Sequence, residues 1–279
     1  MKKSFSLFII AVLLALLPVS ELLAQDRQQS TRHNLKLAFE FGVNWKEFGL
    51  EKPERVREKS SADYVYKDNV WLINGYVGIK PEFFILNNRV GIALGLRFTD
   101  ASTGLVANSS LFNTDSFLWK VKESGITTDY VKIKSISQNA YLLGVPLEIR
   151  FFMNNSELPF QSYFKIGTSL NYRIHSENEI TFKDDNMKRY DNLVQSQLPT
   201  PKEFSSFLYG AIGFKVGKLR EGSWTPWGNF ELTFPYILLT KNSFTFAKAK
   251  EASRENFPGI GFQCSFQIPI GKNVPIGSK

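Results

Sequence analysis

The sequence predicts an all-β protein: an eight-stranded antiparallel up-and-down transmembrane β-barrel after an N-terminal signal peptide. Three observations support this prediction. Large apolar residues alternate with small or polar residues at a period of two in eight segments. The connections between these segments alternate between long and short. Aromatic residues make up 14% of the 279 residues, including 25 Phe, although no apolar run of membrane-spanning length follows the N-terminal segment.

Each strand is assigned from its own row of large apolar residues. In the first strand, LKLAFEFGVNW, such a residue occupies every odd position from Leu35 to Trp45. The next three rows are Trp71, Ile73, Val77 and Ile79; Val90, Ile92, Leu94, Leu96 and Phe98; and Tyr141, Leu143, Val145, Leu147, Ile149 and Phe151. The last four rows are Phe164, Ile166, Leu170, Tyr172 and Ile174; Leu208, Ile212, Phe214 and Val216; Phe230, Leu232, Phe234 and Tyr236; and Ile260, Phe262, Cys264, Phe266, Ile268 and Ile270. The predicted strands are therefore 35–45, 70–80, 90–99, 140–152, 163–174, 206–216, 228–238 and 259–270.

The connections between the strands sort by length. Those after the first, third, fifth and seventh strands are long, and the three between them are short. Outer-membrane barrels show this arrangement, with tight turns on the periplasmic side and longer loops outside. Ten residues of strand rise about 33 Å, and a tilt near 45° reduces this to roughly 24 Å, which matches the apolar band of such barrels.

The apolar row of each strand is predicted to face lipid. An eight-stranded barrel has an interior just wide enough for side chains, and small residues with a few long polar ones fill it better than rows of aromatic residues. The opposite rows place these charged residues inside: Lys36, Glu40, Lys80, Arg97, Glu148, Arg150, Lys165, Arg173, Lys215 and Glu231. Because buried charges require partners, each of the three glutamates is expected to contact a basic neighbour. We interpret this network as filling of the barrel; a path for protons or solutes is the alternative.

Aromatic residues near the strand ends predict two girdles. The girdle on the long-loop side is predicted to contain Trp45, Trp71, Tyr172, Tyr236 and Phe257. The girdle on the short-turn side is predicted to contain Phe83, Phe84, Phe151, Phe152, Trp224 and Trp227. Three prolines, Pro146, Pro235 and Pro269, fall on inward rows, where a bulge or a missing ladder hydrogen bond is expected because proline has no N–H group to donate.

Residues 1–24 are predicted to be a cleaved signal peptide, and residues 25–279 the barrel domain. Lys2 and Lys3 precede FSLFIIAVLLALL, a run too short for a typical membrane-spanning helix. A retained N-terminal anchor is the alternative. Cleavage leaves 32 basic and 25 acidic side chains, a balance that permits contact with phosphate-rich partners and is equally explained by solvated loops. We expect an outer membrane location in a Gram-negative bacterium, contact with outer membrane lipids including lipopolysaccharide, and no nucleic-acid partner.

One block of sequence resembles a known family. The stretch AYLLGVPLEIRFFMNNSELPFQSYFKIGTSLNYRI has a tyrosine-led apolar strand with a mid-strand proline, a short polar turn and an aromatic strand with a glycine. These features are Tyr141, Pro146, the turn 154–159 and the segment 163–167, and they resemble the centre of PorT-type outer membrane β-barrel proteins of the Bacteroidota. The resemblance implies an eight-stranded barrel, and for a few family members a role in assembling a system that secretes proteins across the outer membrane.

The sequence offers few residues for catalysis or metal binding. There are two histidines, His33 and His175, and one cysteine, Cys264, so we expect no catalytic residues, no metal site and no cofactor. The segment RIHSENE contains the residue types that lipid A deacylases use, but adjacent His175 and Ser176 point to opposite faces of a strand. The prediction is a non-enzymatic structural or interaction component of the cell envelope. A lipid-modifying enzyme and a narrow solute pore are the alternatives.

Overall fold

The computed structural model describes most of the chain between residues 35 and 269. The described residues are 35–50, 52, 55–59, 64–65, 69–85, 89–107, 116–121, 129–153, 160–220, 223–240, 247–248 and 259–269. The predicted signal peptide 1–24, Phe257 and the side chains of Trp224 and Trp227 lie outside the part of the chain that is described. Among the described residues, no helix is long and apolar enough to cross a membrane.

The described residues form thirteen strands and two short helical elements. The strands are β1 (Leu35–Leu50), β2 (Val56–Lys59), β3 (Tyr64–Val65), β4 (Asn69–Ile85), β5 (Val90–Leu94), β6 (Leu96–Val106), β7 (Phe117–Val121), β8 (Asp129–Phe152), β9 (Phe160–Phe182), β10 (Phe204–Arg220), β11 (Ser223–Leu238), β12 (Ala247–Lys248) and β13 (Ile260–Pro269). A 3-10 helix, Asp185–Tyr190, precedes helix α1, Asp191–Gln197.

Eight strands close into an antiparallel ring. Its order is β1, β4, the pair β5 and β6, β8, β9, β10, β11 and β13, and β13 pairs back onto β1. Strands β5 and β6 are two parts of one ring strand, because both lie between β4 and β8. The predicted all-β class and the eight antiparallel strands in sequential order are confirmed.

Two of the three inward prolines coincide with irregular pairing. Pro146 lies opposite the break between β5 and β6, where its carbonyl oxygen accepts a hydrogen bond from Gly95 N at 3.3 Å. Gly95 is required at this break because a Cβ atom there would overlap the carbonyl oxygen of Ile79. At Pro235, β11 has one residue more than β10, since Thr233 pairs with Ala211 and the next pair joins Tyr236 to Tyr209. The third proline, Pro269, pairs in register with Lys36.

The two ends of the ring differ. At the short-turn end, β4 connects to β5, β8 to β9 and β10 to β11 through at most seven residues. At the long-connection end, β8 and β9 extend well beyond the predicted strands, and the connections contain β2, β3, β7, β12 and the helical elements. The sequence predicts loops for these long connections. They form additional strands instead, because β2 pairs with β7, and β7 pairs with the extended part of β8.

The outside of the ring carries a belt of exposed large apolar side chains. The belt includes Phe39, Phe41, Val43, Ile73, Val77, Ile79, Leu96, Phe98, Leu147, Ile149, Phe164, Ile166, Leu170, Leu208, Ile212, Phe214, Phe230, Leu232, Phe234, Phe262, Phe266 and Ile268. The outward row therefore agrees with the sequence pattern in every ring strand except at Leu94, Tyr172 and Tyr236. Leu94 departs from it: this residue pairs with the exposed Leu147 but is itself 7% exposed, next to the break at Gly95.

Candidate functional site inside the ring

Nine buried charged side chains cross the middle of the ring. We call this set the charged layer; it consists of Glu40, Glu82, Glu148, Glu231, Lys80, Arg97, Arg150, Lys165 and Lys215. The four carboxylates and five cations come from seven ring strands, and each carboxylate lies within 4.0 Å of at least two cations. Pairing of this kind is what makes buried charge tolerable.

Glu148 is the hub of the charged layer. Its carboxylate lies 2.5 Å from Lys80 Nζ, 3.2 Å from both Arg97 Nη2 and Lys165 Nζ, and 3.4 Å from Arg150 Nη2. It also accepts a hydrogen bond of 3.0 Å from the hydroxyl group of Tyr209. Because four cations share this one carboxylate, its loss would leave several like charges close together among buried side chains.

The other three carboxylates extend the network across the ring. Glu40 binds Lys80 Nζ at 2.5 Å and Arg97 Nε at 2.8 Å. Glu231 binds Lys165 and, at 2.9 Å, Arg150 Nη2, and it accepts a 2.7 Å hydrogen bond from Tyr163. Glu82 receives Arg150 Nη1 at 2.8 Å and a hydrogen bond from Gln267, and it lies 4.0 Å from Lys215 Nζ. The guanidinium group of Arg150 thus joins three glutamates.

Three aromatic rings, which we call the aromatic floor, close the interior below the charged layer, at the short-turn end. Phe84, Phe152 and Tyr163 form a buried cluster, with Phe152 5.9 Å from Phe84 and 5.2 Å from Tyr163 between ring centroids. Lys215 Nζ lies over two of these rings, 4.2 Å from the centroid of Phe84 and 4.5 Å from that of Phe152. Such cation–π contacts stabilise a desolvated ammonium group.

A layer of neutral polar groups lies above the charged layer. Asn74 donates a 2.6 Å hydrogen bond to the hydroxyl group of Tyr236, and Asn171 donates one of 3.2 Å to Ser169. These residues line a cavity of about 10 Å³ together with Asn44, Tyr76, Arg97, Thr99 and Phe207. A cavity of this size is at the lower limit for one water molecule.

An apolar core fills the long-connection end. We call this core and the elements that build it the cap. Its buried residues include Phe48, Leu50, Val56, Val70, Leu72, Leu105, Phe117, Trp119, Val131, Ile133, Ile136, Phe182, Val194, Leu198 and Leu238. Helix α1 contributes Val194 to this core, and Gln197 Oε1 accepts hydrogen bonds from Arg55 Nη1 at 2.7 Å and Trp119 Nε1 at 3.1 Å. The helix thereby joins β7 to the segment before β2.

The structure brings together eight of the ten charged residues that were predicted to lie inside: Glu40, Lys80, Arg97, Glu148, Arg150, Lys165, Lys215 and Glu231. Arg173 is not among them and corrects the prediction. It is half-exposed, and its guanidinium group binds Ser176 Oγ at 2.9 Å and the carbonyl oxygen of Lys202 at 3.3 Å. Arg173 is outside the network because it lies above the charged layer, level with the first residue of β10 and next to a bulge in β9.

The predicted aromatic girdles are changed at several positions. Trp45 is exposed and Trp71 half-buried against Gly104 on the outer side. Tyr236 is buried inside, because the extra residue at Pro235 reverses the alternation beyond it. Tyr172 is 7% exposed because the ring of Phe204 covers it at 5.3 Å. Phe84 and Phe152 also turn inward, where they form the aromatic floor. The side chain of Trp227 is outside the described part.

Other aromatic contacts lie on the outside instead. Phe151 stacks on Phe164 at 4.7 Å, and Phe160 on Phe214 at 5.3 Å, both toward the short-turn end. At the top of the apolar belt, Tyr141 stacks between Phe98 and His175, at 6.1 Å and 6.2 Å.

Sequence reasoning missed Glu82 and the tyrosines that support the charged layer. Glu82 lies beyond the predicted second strand, which ends at residue 80 before Pro81, whereas β4 continues to Ile85. Tyr163 and Tyr209 share inward rows with Lys165 and Lys215. Each also faces a glycine, since a Cβ atom at Gly213 or Gly167 would lie 2.5 Å from its ring. Glycines paired with inward tyrosines on neighbouring strands are the signal that could have located them.

The residues considered for catalysis do not converge. The ring of His175 is stacked on Tyr141, and Ser176 Oγ accepts a hydrogen bond from Arg173. Among the described residues, no hydrogen bond joins His175 to a serine, and no group of three or more His, Cys, Asp or Glu side chains could hold a metal ion.

Compared with models of known protein families and with curated protein sequences, the chain matches none.

Proposed function

We propose that this chain is an integral outer membrane β-barrel protein of a Gram-negative envelope, with a closed interior and a non-enzymatic role in binding other envelope proteins. The observation that carries the proposal is the outward apolar belt at the level of the charged layer. Glu40, for example, is buried between the exposed Phe39 and Phe41. Arg97, Glu148, Lys165 and Glu231 are likewise each preceded and followed by exposed large apolar residues. Charge inside and apolar groups outside is the arrangement of a barrel in lipid.

Membrane insertion is tested by extraction and by gel mobility. The full-length protein should stay in the membrane fraction after washing with carbonate at high pH, and it should need detergent for release. The unboiled sample should migrate differently from the boiled one, because a closed barrel resists unfolding by detergent. Release by carbonate alone, or identical migration of the two samples, would contradict the proposal.

The filled interior supports a protein that does not conduct solutes. The aromatic floor, the charged layer and the cap core occupy successive levels of the ring, and a cavity between them has a volume of about 10 Å³. In planar bilayers we therefore expect no steady conductance above the background of an empty bilayer. Stable channels in the wild-type protein would favour the alternative of a narrow pore.

A non-enzymatic role is supported by the arrangement around His175. Replacing His175 by Ala should leave the lipid A profile of the producing cells unchanged, whereas a lipid-modifying enzyme would lose its product. The resemblance to PorT-type barrels suggests that the binding partners belong to protein secretion or assembly at the outer membrane. Proteins that co-purify with the detergent-solubilised full chain would identify these partners.

A further inference from the structure

Among the described residues, β9 has an edge without a strand partner above the apolar belt. Strand β9 pairs with β8 along its length, from Tyr163 to Phe182, but its pairing with β10 ends at Tyr172. Beyond Tyr172, the backbone of Arg173 donates one hydrogen bond to the carbonyl oxygen of Glu203. Within the described part of the chain, residues 174–182 then have a strand on one side only. We call residues 174–182 the β9 edge.

The segment that enters β10 explains why this edge stays open. It contains Pro199 and Pro201, and proline has no N–H group to donate to a ladder. The chain instead turns toward the cap, where Leu198 and Val194 are buried. Strand pairing with β9 resumes only at Phe204.

The β9 edge lies where the outer surface has become polar. His175, Glu177, Glu179 and Thr181 are exposed, and Glu177 and Glu179 pair with Asn139 and Ser137 of β8. Neither glutamate makes an ion pair with another described residue. The edge therefore offers unpaired backbone groups and two carboxylates, two residues apart on one face.

Building on the proposed role in binding envelope proteins, we propose that the β9 edge binds an extended segment of a partner protein that carries basic side chains at alternate positions. The partner adds a strand to the sheet: backbone hydrogen bonds supply affinity, and its basic side chains face Glu177 and Glu179. A second copy of this chain fits poorly, because antiparallel pairing of two β9 edges centred on Asn178 would place Glu177 opposite Glu179 twice. Like charges directly opposite each other destabilise strand pairing.

The test uses two ten-residue peptides as probes, both rich in Thr and Val. One carries Lys at two alternate positions and the other carries Glu there. The full-length protein in uncharged detergent should bind the Lys peptide at least about tenfold more tightly than the Glu peptide. Binding should slow amide hydrogen exchange within 174–182, which should be fast in the free protein. The double variant Glu177→Lys, Glu179→Lys should reverse the preference, and the control Asp185→Lys should not.

Equal binding of the two peptides, protection elsewhere in the protein, or an unreversed preference in the double variant would overturn the inference. Slow exchange at 174–182 before any peptide is added would also overturn it, since another segment or copy would then already cover the edge. Gel mobility of unboiled samples is measured in parallel. If the variants keep the folded mobility of the wild type, failure of peptide binding concerns the edge alone and leaves the proposed barrel intact.

Discussion

The charged layer and the cap core fill the same ring with opposite chemistry. Glu148 and Ile133 are both fully buried on β8, yet Glu148 lies between the exposed apolar residues Leu147 and Ile149, whereas Ile133 lies between the exposed Lys132 and Lys134. Along this one strand, the inner surface changes from charged to apolar, and the outer surface changes from apolar to charged. A water-soluble protein places apolar groups inside and charge outside, and the cap follows that rule. The ring below it reverses the rule, as expected where hydrocarbon replaces water.

The comparison teaches that the two regions owe their stability to different interactions. The charged layer depends on mutual pairing, so removing one member harms the others. The cap depends on close packing of apolar side chains, so damage there should remain local.

The largest effect is expected from Glu148→Gln in the charged layer. The substitution keeps the shape of the side chain but leaves Lys80, Arg97, Arg150 and Lys165 without their shared carboxylate, and it should lower the free energy of unfolding by about 4 kcal/mol. Urea unfolding of the full chain in detergent, followed by gel mobility, measures this loss. The matched control Glu179→Gln removes an exposed carboxylate and should stay within about 0.5 kcal/mol of wild type. Equal stability of the two variants would show that the buried ion pairs contribute little.

A smaller and more local effect is expected from Leu105→Ala in the cap core. Removing this buried side chain leaves a cavity and should cost about 3 kcal/mol. Hydrogen exchange should accelerate in β7, in the extended part of β8 and in helix α1, while the ring keeps its folded gel mobility. Leu96→Ala, at an exposed position of the same strand, is the control. Loss of folded mobility in the Leu105 variant would mean that cap and ring unfold as one unit.

Gln197→Ala should weaken the attachment of helix α1 to the cap. The substitution removes the acceptor shared by Arg55 and Trp119 and should cost about 1–2 kcal/mol. Faster exchange in helix α1 is the expected readout. Gln197→Glu, which keeps the acceptor, should restore protection, and Gln195→Ala, which removes only a 2.8 Å bond to Asp191 within the helix, serves as the control. Protection of α1 in the Gln197→Ala variant equal to that of wild type would contradict this role.

The smallest effect concerns the surface of the cap. The hydrogen bond and charge of Lys188, 2.8 Å away, lower the pKa of Asp185 below its usual value of 3.8, and Asp185 in turn raises the pKa of Lys188. Because the folded pKa of Asp185 is depressed, its stabilising contribution is present above pH 3.8 and is lost as the pH falls through the folded value. The Lys188 contribution is lost as the pH rises past 10.5. Carboxyl NMR titration should find the pKa of Asp185 higher in Lys188→Met; an unchanged value would refute the pairing.

Much of the ring was predictable from sequence because the period-two alternation fixes which side chains share a face. Placing Glu40, Arg97 and Glu148 inside required only that pattern. The pattern failed at Tyr236 because a single extra residue reverses the alternation: the bulge at Pro235 turns Tyr236 inward. The cap was not predictable, because its strands are held by partners distant in sequence, such as β2 on β7, rather than by a long alternating pattern of their own.

If the chain inserts into a membrane as proposed, the charged layer also sets conditions on that insertion. Glu40 comes from the first ring strand, Glu148 from the fourth and Glu231 from the seventh, so the network is complete only when the chain's two ends meet. A half-inserted sheet would present bare carboxylates and ammonium groups to hydrocarbon. Insertion strand by strand is therefore disfavoured, and the ring is expected to assemble at the water interface and enter the bilayer as a nearly closed unit.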